Sequence, residues 1–584
     1  VELGSQGNNL SASIKKQIED LNLSGIEFSE SNSRYYPLGD FCSYIVGYAK
    51  SYEDQSIKKM VGEMGLELSY DKTLKGKNGY KVYQTDANGY ALVDGTLREK
   101  DPTNGQDIYL TIDSGLQRDL DYLMSNAYNE SGAQVVTAGV MEIKTGRILA
   151  MSTYPSFNPN ERNISTFNNY FLEGTIECGS VFKPFIYADS IEEGKYDHNA
   201  YYNSGMYNVY YGNKLVATIK DHNHGQGWGS ITYDQGLYHS SNVAICNLLD
   251  KGYVTKEVLT EKLNDLGFFQ GDTMDGLACS SSINAYTRSS AGKLEYLTTG
   301  FGQGSTVTPY QLLKAYSVFG NGGKTVQPHV VEKIVDPDTN KVTYQATTQY
   351  SKQIFSENTV KEVRDLMLGV IEDQQGTGKN YRLDNGVRMI GKTGTGQVVE
   401  NGGYSTSVYM HSFVGLAPYE DPQVVMFITF KSGDSYAQYM PNIVKQTMTS
   451  ALQVVNQYNA PDEKTVDESY TLDSYTNQSV NYVKSKLESK SLNVQVIGNG
   501  GSVIEQYPLA RSKVTSGDKI FIKTEGTDIT LPDLTGWSKK EVQTYASLAE
   551  IQLVIEGTSG HVTSQSIEAN QVIHKGDSLS ITLS

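Results

Sequence analysis

The sequence predicts a multidomain α+β protein, and three observations carry that prediction. A long central stretch has strand groups at both ends with helical segments between them. The last 120 residues contain an internal repeat. The first hundred residues break into short strand-like pieces separated by turn signals. With 584 residues, three to five domains of roughly 100–200 residues each are expected. Composition is that of a folded protein, 38% hydrophobic and 20% charged, so disorder of the whole chain is excluded as a class.

Residues 1–105 are rich in Gly, Ser, Asn and Lys, with strand pieces such as Gly79-Tyr80-Lys81-Val82-Tyr83. They read as a β-rich, non-catalytic segment. Residues 106–458 read as the large domain. It opens on Ile108-Tyr109-Leu110-Thr111-Ile112-Asp113, a strand running into a helix. A hairpin comes next, Ala138 to Ile143 and Arg147 to Met151, around a turn at Lys144-Thr145-Gly146. A late strand pair, Ser412–Ala417 and Val424–Phe430, returns to the same sheet. Strands at both ends with helices between argue for a sheet closed by distant segments.

A polar stretch from Ala460 to Glu468 reads as a linker. Two modules come after it, 465–526 and 527–584. Val503-Ile504-Glu505-Gln506 is echoed by Val562-Thr563-Ser564-Gln565, and Gly517-Asp518 by Gly576-Asp577, both at an offset of 59 residues. Each module opens on a helix, around Ser479–Ser489 and Ser538–Leu548, and closes on an alternating strand, Ile520–Lys523 and Leu579–Thr582. The period is too long for most solenoids and suits two small αβ modules.

The net charge of −17 excludes attraction to nucleic acid, which needs a basic face for phosphates. No apolar run approaches the ~18 residues that a membrane helix requires. The four cysteines, Cys42, Cys178, Cys246 and Cys279, show no disulfide-framework spacing.

The chemistry sits in three short motifs. Ser180 and Lys183 in Gly179-Ser180-Val181-Phe182-Lys183 are spaced i, i+3, which puts an amine and a hydroxyl on one helix face. A serine hydroxyl needs a neighbouring base to become a nucleophile, and a lysine serves when burial lowers its pKa. The spacing alone is weak, since Ser13/Lys16, Ser56/Lys59 and Ser516/Lys519 share it. Sixty residues after Ser180 comes Ser240-Ser241-Asn242, whose hydroxyl and amide can relay a proton and hold a substrate amide. Later comes Lys392-Thr393-Gly394-Thr395, which offers a cation, two hydroxyls and a glycine that lets backbone approach closely. All three in this order form the set of the serine acyl-enzyme family that includes penicillin-binding proteins and β-lactamases.

On these motifs the chain resembles the class B penicillin-binding proteins that carry PASTA domains, and the resemblance covers nearly all of it. Tyr36-Pro37-Leu38-Gly39 and Gly65-Leu66-Glu67 match the family's N-terminal region. Thr145-Gly146-Arg147-Ile148-Leu149-Ala150, Gly302-Gln303-Gly304 with Thr308-Pro309, His239, and Phe413-Val414-Gly415 with Pro418 match its transpeptidase domain, which has a serine β-lactamase-like fold. Leu531-Pro532-Asp533-Leu534-Thr535-Gly536 matches PASTA modules. One departure is Cys178, where the family usually has proline; another is Thr393, where some members have serine.

The resemblance implies a D,D-transpeptidase that cross-links peptidoglycan stem peptides and is trapped by β-lactams. Ser180 is then the nucleophile and Lys183 its base. Ser240 and Asn242 relay the leaving amine's proton and hold the substrate amide. Lys392 and Thr393 hold the terminal carboxylate, and the N–H groups of Ser180 and Thr395 form the oxyanion hole. It further implies an enzyme on the extracytoplasmic face of a bacterial membrane, with one N-terminal transmembrane anchor preceding this sequence. Its partners would be a membrane-embedded glycosyltransferase and division proteins. A β-lactamase or β-lactam sensor on the same fold, or a catalytically silent muropeptide-binding protein, are the alternatives. The intact motifs weigh against the last, and a kinase is excluded because its loop motifs are absent.

No cofactor is required for this chemistry. A structural zinc is nonetheless a candidate, with Cys178, Asp221, His222 and His224 as ligands, because thiolate and imidazole suit zinc. If residues 221–224 are extended, His222 and His224 share a face and Asp221 points away. The plain alternative is a polar loop beside a small buried cysteine.

Overall fold

The computed structural model describes residues 12–28, 34–54, 57–88, 90–400, 402–459, 470–490, 492–514, 518–557 and 561–583. The linker at 460–468 and Gly517 of the Gly-Asp echo lie outside these residues. The chain divides into two compact units, Val1–Asn459 and Ala460–Ser584.

The first unit begins with two antiparallel ribbons, β1 (Tyr48–Asp54) with β2 (Ile57–Met64) and β3 (Tyr80–Thr85) with β4 (Ala91–Lys100). Such ribbons are marginal alone, and this region is tied to the loop at 155–157. Tyr44 donates its hydroxyl to Pro155 O at 2.9 Å and meets the Phe157 ring edge-on at 5.1 Å. Next come β5 (Asp107–Leu110) and α1 (Ser114–Ser131), joined as the sequence predicts. Asp113 caps α1 by accepting from Leu116 N, and Gly132 ends it in the left-handed region.

The predicted hairpin is β6 (Val135–Glu142) and β7 (Ile148–Tyr154). Beyond it lie α2 (Lys183–Glu192), α3 (Tyr233–Tyr238) and α4 (Asn242–Asp250). Then come β8 (Val331–Asp336), β9 (Lys341–Gln345) and α5 (Glu357–Glu372). The unit closes with β10 (Ile390–Glu400), β11 (Gly403–Ala417), β12 (Val424–Ser432) and α6 (Met440–Asn459). The central sheet is antiparallel in the order β10-β11-β12-β6-β7, so the last three strands pair with the first hairpin. The strand at 107–110 does not join it. It pairs with β8 in a separate three-stranded sheet with β9.

Alternation decides which face of the central sheet each residue buries. Val136, Ala138 and Val140 of β6, with Val424, Met426, Ile428 and Phe430 of β12, pack toward α1 and α6. Val425 and Phe427 face the other core, shared with α2, α4 and α5. Both faces are covered, so these strands read as continuous apolar runs. In α6 the buried residues Met440, Ile443, Val444, Met448, Ala451, Leu452 and Val455 recur at helical spacing.

Helix α2 is buried from Lys183 to Ile191. Inside it, neither carboxyl oxygen of Asp189 has a hydrogen-bond partner among the described residues. Burial pushes its pKa well up, with Lys262 opposing. A raised folded pKa means that Asp189 favours folding below the ordinary aspartate pKa, and that this help is lost as pH rises through the folded value. Asp189→Asn should therefore match or exceed the parent at pH 7, by up to about 1–3 kcal/mol. The difference in melting temperature should shrink between pH 7 and 4. A variant less stable at pH 7 would contradict the assignment.

The second unit contains two copies of one design. The helices Val480–Glu488 and Lys539–Ala549 each cover a three-stranded sheet. In the first module Asn493–Ile497 runs parallel, and Val503–Tyr507 antiparallel, to Lys519–Thr524. Gln552–Glu556 and Val562–Gln565 repeat this against Ser578–Leu583. The repeated glutamine has a structural cause. Gln506 accepts from Tyr475 N at 2.7 Å and donates to Asp473 O and Pro508 O. Gln565 accepts from Leu534 N at 2.7 Å and donates to Pro532 O and Ile567 O. Each clamps the segment that leads into its helix. The modules also share a core that the sequence does not reveal. Ile497 and Phe521 of the first pack with Trp537 and Tyr545 of the second, and Lys519 donates to Glu541 at 2.8 Å.

Candidate active site

Ser180 lies in a 3-10 turn, Gly179–Phe182, and Lys183 opens α2 directly after it. The i, i+3 relation is preserved on a tighter turn than the α-helix expected from the sequence. Glycines let this turn touch the edge strand β10 backbone to backbone. Gly179 has φ +60°, and a Cβ there would stand 2.3 Å from Thr395 O. At Gly394 it would stand 2.7 Å from Cys178 O, and at Gly396 1.6 Å from Glu177 O. Gly179 N donates to Gly302 O at 3.0 Å, so Gly302 pins the turn from its other side. The side chain of Ser180 is half-buried and that of Thr395 exposed.

Two lysines meet at the second motif. Lys183, fully buried, donates from Nζ to Ser240 O at 2.5 Å, to Asn242 Oδ1 at 2.9 Å and to Ser240 Oγ at 3.4 Å. None of these bonds reaches Ser180. Lys392, also fully buried, donates to Ser240 Oγ at 2.8 Å and to Thr393 O at 3.0 Å. Ser240 Oγ thus stands between two amines from distant parts of the chain. Burial lowers the Lys183 pKa to about 7, with Asp221 opposing. Burial, reinforced by repulsion from Lys183, lowers Lys392 well below the usual lysine range. Ser240 adopts φ +58°, unusual for a residue with a Cβ, and strain of this kind clusters at functional sites.

Asn242 spends its amide within the protein, donating from Nδ2 to Lys220 O at 2.8 Å. Ser241 caps α4 by accepting from Ala244 N, and donates to Asp221 Oδ1 at 2.8 Å. Asp221 accepts also from Val243 N at 3.1 Å and from Gly205 N at 2.8 Å. This buried carboxylate is the anchor of the Ser240–Asn242 loop.

The expected zinc ligands do not assemble. Residues 221–225 form a turn rather than an extended segment, closed by Gly225 N donating to Asp221 O. Asp221 is turned inward and satisfied, while His222 and His224 are exposed, with His224 at φ +60°. His222 lies against Trp228, which stacks on His239 at 4.7 Å. Cys178 is buried, its thiol at 3.8 Å from Gly179 O and its pKa raised by burial. Among the described residues no group of three or more Cys, His, Asp or Glu side chains could hold a metal ion.

Two site residues escape sequence reading. Thr377, in the turn Gly376-Thr377-Gly378, accepts from the Thr393 hydroxyl at 2.8 Å. Glu177, three residues before Ser180, is largely buried and accepts from Tyr404 at 3.0 Å, and burial raises its pKa. A glycine-flanked threonine is a local signal, but nothing local ties it to Thr393. For Glu177 the only signal is its closeness to the nucleophile.

Fold and site together define a protein of the Ser-x-x-Lys active-serine class. Three family profiles match the chain in succession: the penicillin-binding protein dimerisation domain over 6–110, the penicillin-binding protein transpeptidase domain over 136–453, and the PASTA domain over 470–526 and 529–584. The chain belongs to the penicillin-binding protein transpeptidase family, in its class B branch. It is 31% identical over 537 residues to stage V sporulation protein D of Bacillus subtilis (strain 168), covering 88% of this chain and 79% of that protein. It is 28% identical over 442 residues to the probable peptidoglycan D,D-transpeptidase PenA of Neisseria meningitidis, covering 74% of this chain and 69% of that protein. The crystal structure of penicillin binding protein 2X from Streptococcus thermophilus is similar at TM-score 0.66 and 26% identity, covering 100% of this chain and 88% of that one. The chain is a peptidoglycan D,D-transpeptidase by family. No helix among the described residues is long and apolar enough to cross a membrane.

Proposed function

We propose that the protein cross-links peptidoglycan stem peptides through an acyl-enzyme on Ser180. The observation that carries this reading is Ser240 Oγ held between the buried amines of Lys183 and Lys392. Ser180 Oγ attacks the carbonyl carbon of the penultimate D-Ala, and its proton passes to Lys183 Nζ. The new oxyanion is held by the N–H groups of Ser180 and Thr395, a kind of contact worth about 3–4 kcal/mol per donor. Geometry supports the second donor. Thr395 O faces Gly179, and in a strand the N–H and C=O of one residue point to the same side.

Collapse breaks the C–N bond, and the departing D-Ala amine takes its proton through Ser240. Lys392 and Thr393 favour the terminal carboxylate. The amine of a second stem peptide then attacks the ester carbonyl and gives up a proton through Lys183 to Ser180 Oγ as the ester C–O bond breaks, which forms the cross-link and frees Ser180. These steps draw on protein groups alone. A β-lactam, with its own carboxylate and strained amide, enters the same path and stops at the acyl-enzyme.

The setting proposed is the extracytoplasmic face of the membrane, behind an N-terminal anchor, in septal wall synthesis beside a membrane-embedded glycosyltransferase and division proteins. The family membership and the tandem PASTA modules support that setting. Labelling with fluorescent penicillin, followed by digestion and mass spectrometry, tests the reaction. The adduct is expected on the peptide that contains Ser180. An adduct on any other residue overturns the proposal.

A further inference from the structure

We propose that Asp221 is the countercharge of the catalytic lysine: it holds the loop that positions Lys183, and it stabilises the ammonium that Lys183 becomes on taking the Ser180 proton. The inference rests on the reading of Lys183 as the base for acylation at Ser180. It makes Asp221 a positioning residue, because its bonds go to the loop and not to the reacting groups.

The route from Asp221 to Lys183 is short and made of hydrogen bonds. Lys183 Nζ is held by Ser240 O at 2.5 Å and by Asn242 Oδ1 at 2.9 Å. Ser241, between those two residues, donates its hydroxyl to Asp221 Oδ1 at 2.8 Å, and Val243, just after them, donates its N–H to the same oxygen at 3.1 Å. Gly205 N–H donates to Oδ2 at 2.8 Å. Asn242 is fixed a second time through the residue before Asp221, donating from Nδ2 to Lys220 O at 2.8 Å. Both groups that hold the amine are therefore clamped from behind. Asp221 is 1% exposed, and its three donors are neutral. A buried charge needs an opposite one. The amine that feels this carboxylate is that of Lys183, whose charged form Asp221 favours.

The other groups around the pair do not supply that negative charge. Cys246 of α4 faces Lys183, and Tyr187 of α2 and Tyr202 lie near Asp221. Burial raises all three, so they stay neutral. Lys392 of β10 and His222 also face Lys183, and as cations they only repel it. A purely structural anchor for the loop is the competing role, and the two roles differ in where on the pH scale a loss appears. Below the inflection the enzyme starts with Lys183 charged and reaches a transition state in which it is charged again, so the field of Asp221 cancels. Above the inflection it starts neutral, and the field acts on the transition state alone. The plateau then depends on the Asp221 charge and the acid limb does not.

The test measures second-order acylation by benzylpenicillin across the pH range in the parent protein, Asp221→Asn and Ser241→Ala, with the melting temperature as the folding control. In Asp221→Asn the inflection should move from about 7 to about 6, and the plateau should fall roughly tenfold, the second effect being the rate equivalent of the first. Rates on the acid limb should stay close to the parent's. Ser241→Ala removes one bond of the anchor and keeps the charge, so its inflection should stay where the parent's is, whatever its rate. If Asp221→Asn lowers both limbs by one factor with the inflection unmoved, the inference is overturned in favour of the anchor. An unchanged profile overturns it as well, and so does an inflection moved equally by Ser241→Ala. Asp221→Ser removes the same charge with a smaller side chain and carries the same expectation if the asparagine variant folds poorly. Lys183→Met separates this inference from the reading beneath it. If the parent's inflection vanishes in Lys183→Met yet ignores Asp221→Asn, the inference fails and the base reading stands. If the inflection survives Lys183→Met, the base reading fails first, and this inference falls with it.

Discussion

Ser180→Ala is expected to abolish covalent labelling by penicillin and to lower transpeptidation by at least about 10³–10⁴-fold, as loss of an enzyme nucleophile generally does. The fold should survive, because the change removes one half-buried oxygen and such substitutions usually stay within about 0.5 kcal/mol. Specificity for this serine follows from the surroundings of its lysine. Lys183 is fully buried and held at three points. The other sites with the same spacing lack that setting. Lys16 is exposed on the helix Ala12–Asp20. Lys519 is paired with Glu541 in the second unit. Gel fluorescence with labelled penicillin, with the melting temperature as the folding control, reads the result. Residual adduct on another serine would remove Ser180 from its role.

The parts of this protein that were legible in the sequence are those written in local pattern or fixed spacing. The hairpin around Lys144-Thr145-Gly146 and the apolar runs of β11 and β12 could be read because alternation and turn residues are local signals. The three motifs could be read because their chemistry is recognisable as a set, and the fold brings Lys183, Ser240 and Lys392 to one point. The repeated glutamines were visible as an echo, although their clamp role was not.

What was not legible depends on pairing between distant segments. The strand at 107–110 looked like the start of the central sheet, yet its partner is β8, more than two hundred residues away. Asp221 lay beside two histidines and so suggested a metal. Its oxygens instead serve Gly205, Ser241 and Val243, and a turn sends the histidines outward. Thr377 carries no motif of its own and gains meaning only from Thr393, sixteen residues on and across the cleft wall. The contact of Phe521 with Trp537, which joins two modules that the repeat presents as separate, is of the same kind.

Lys183→Met is expected to slow acylation by about 10²–10⁴-fold, the usual worth of a positioned general base, and to erase a pH dependence centred near neutrality. The sign is set by burial. A lysine in water is protonated until well above pH 10, and an ammonium has no lone pair with which to take the Ser180 proton. Inside the fold the charged form loses its hydration, and the pKa falls to about 7 despite the opposing charge of Asp221. The basic form is then scarce at pH 6 and prevails by pH 8. Acylation by benzylpenicillin should rise almost tenfold per unit on the acid side and level off above about pH 7. Lys392 does not offer a substitute base with the same profile. Burial and the nearby Lys183 lower its pKa too, but its two bonds face Ser240 and the Thr393 carbonyl. Methionine matches the lysine stem in volume and leaves Asp221 with its own three donors, so the variant should fold. Stopped-flow acylation from pH 5.5 to 9 decides the matter. A parent profile flat across that range would end the case for Lys183 as the base, and so would an inflection near 7 that persists in Lys183→Met.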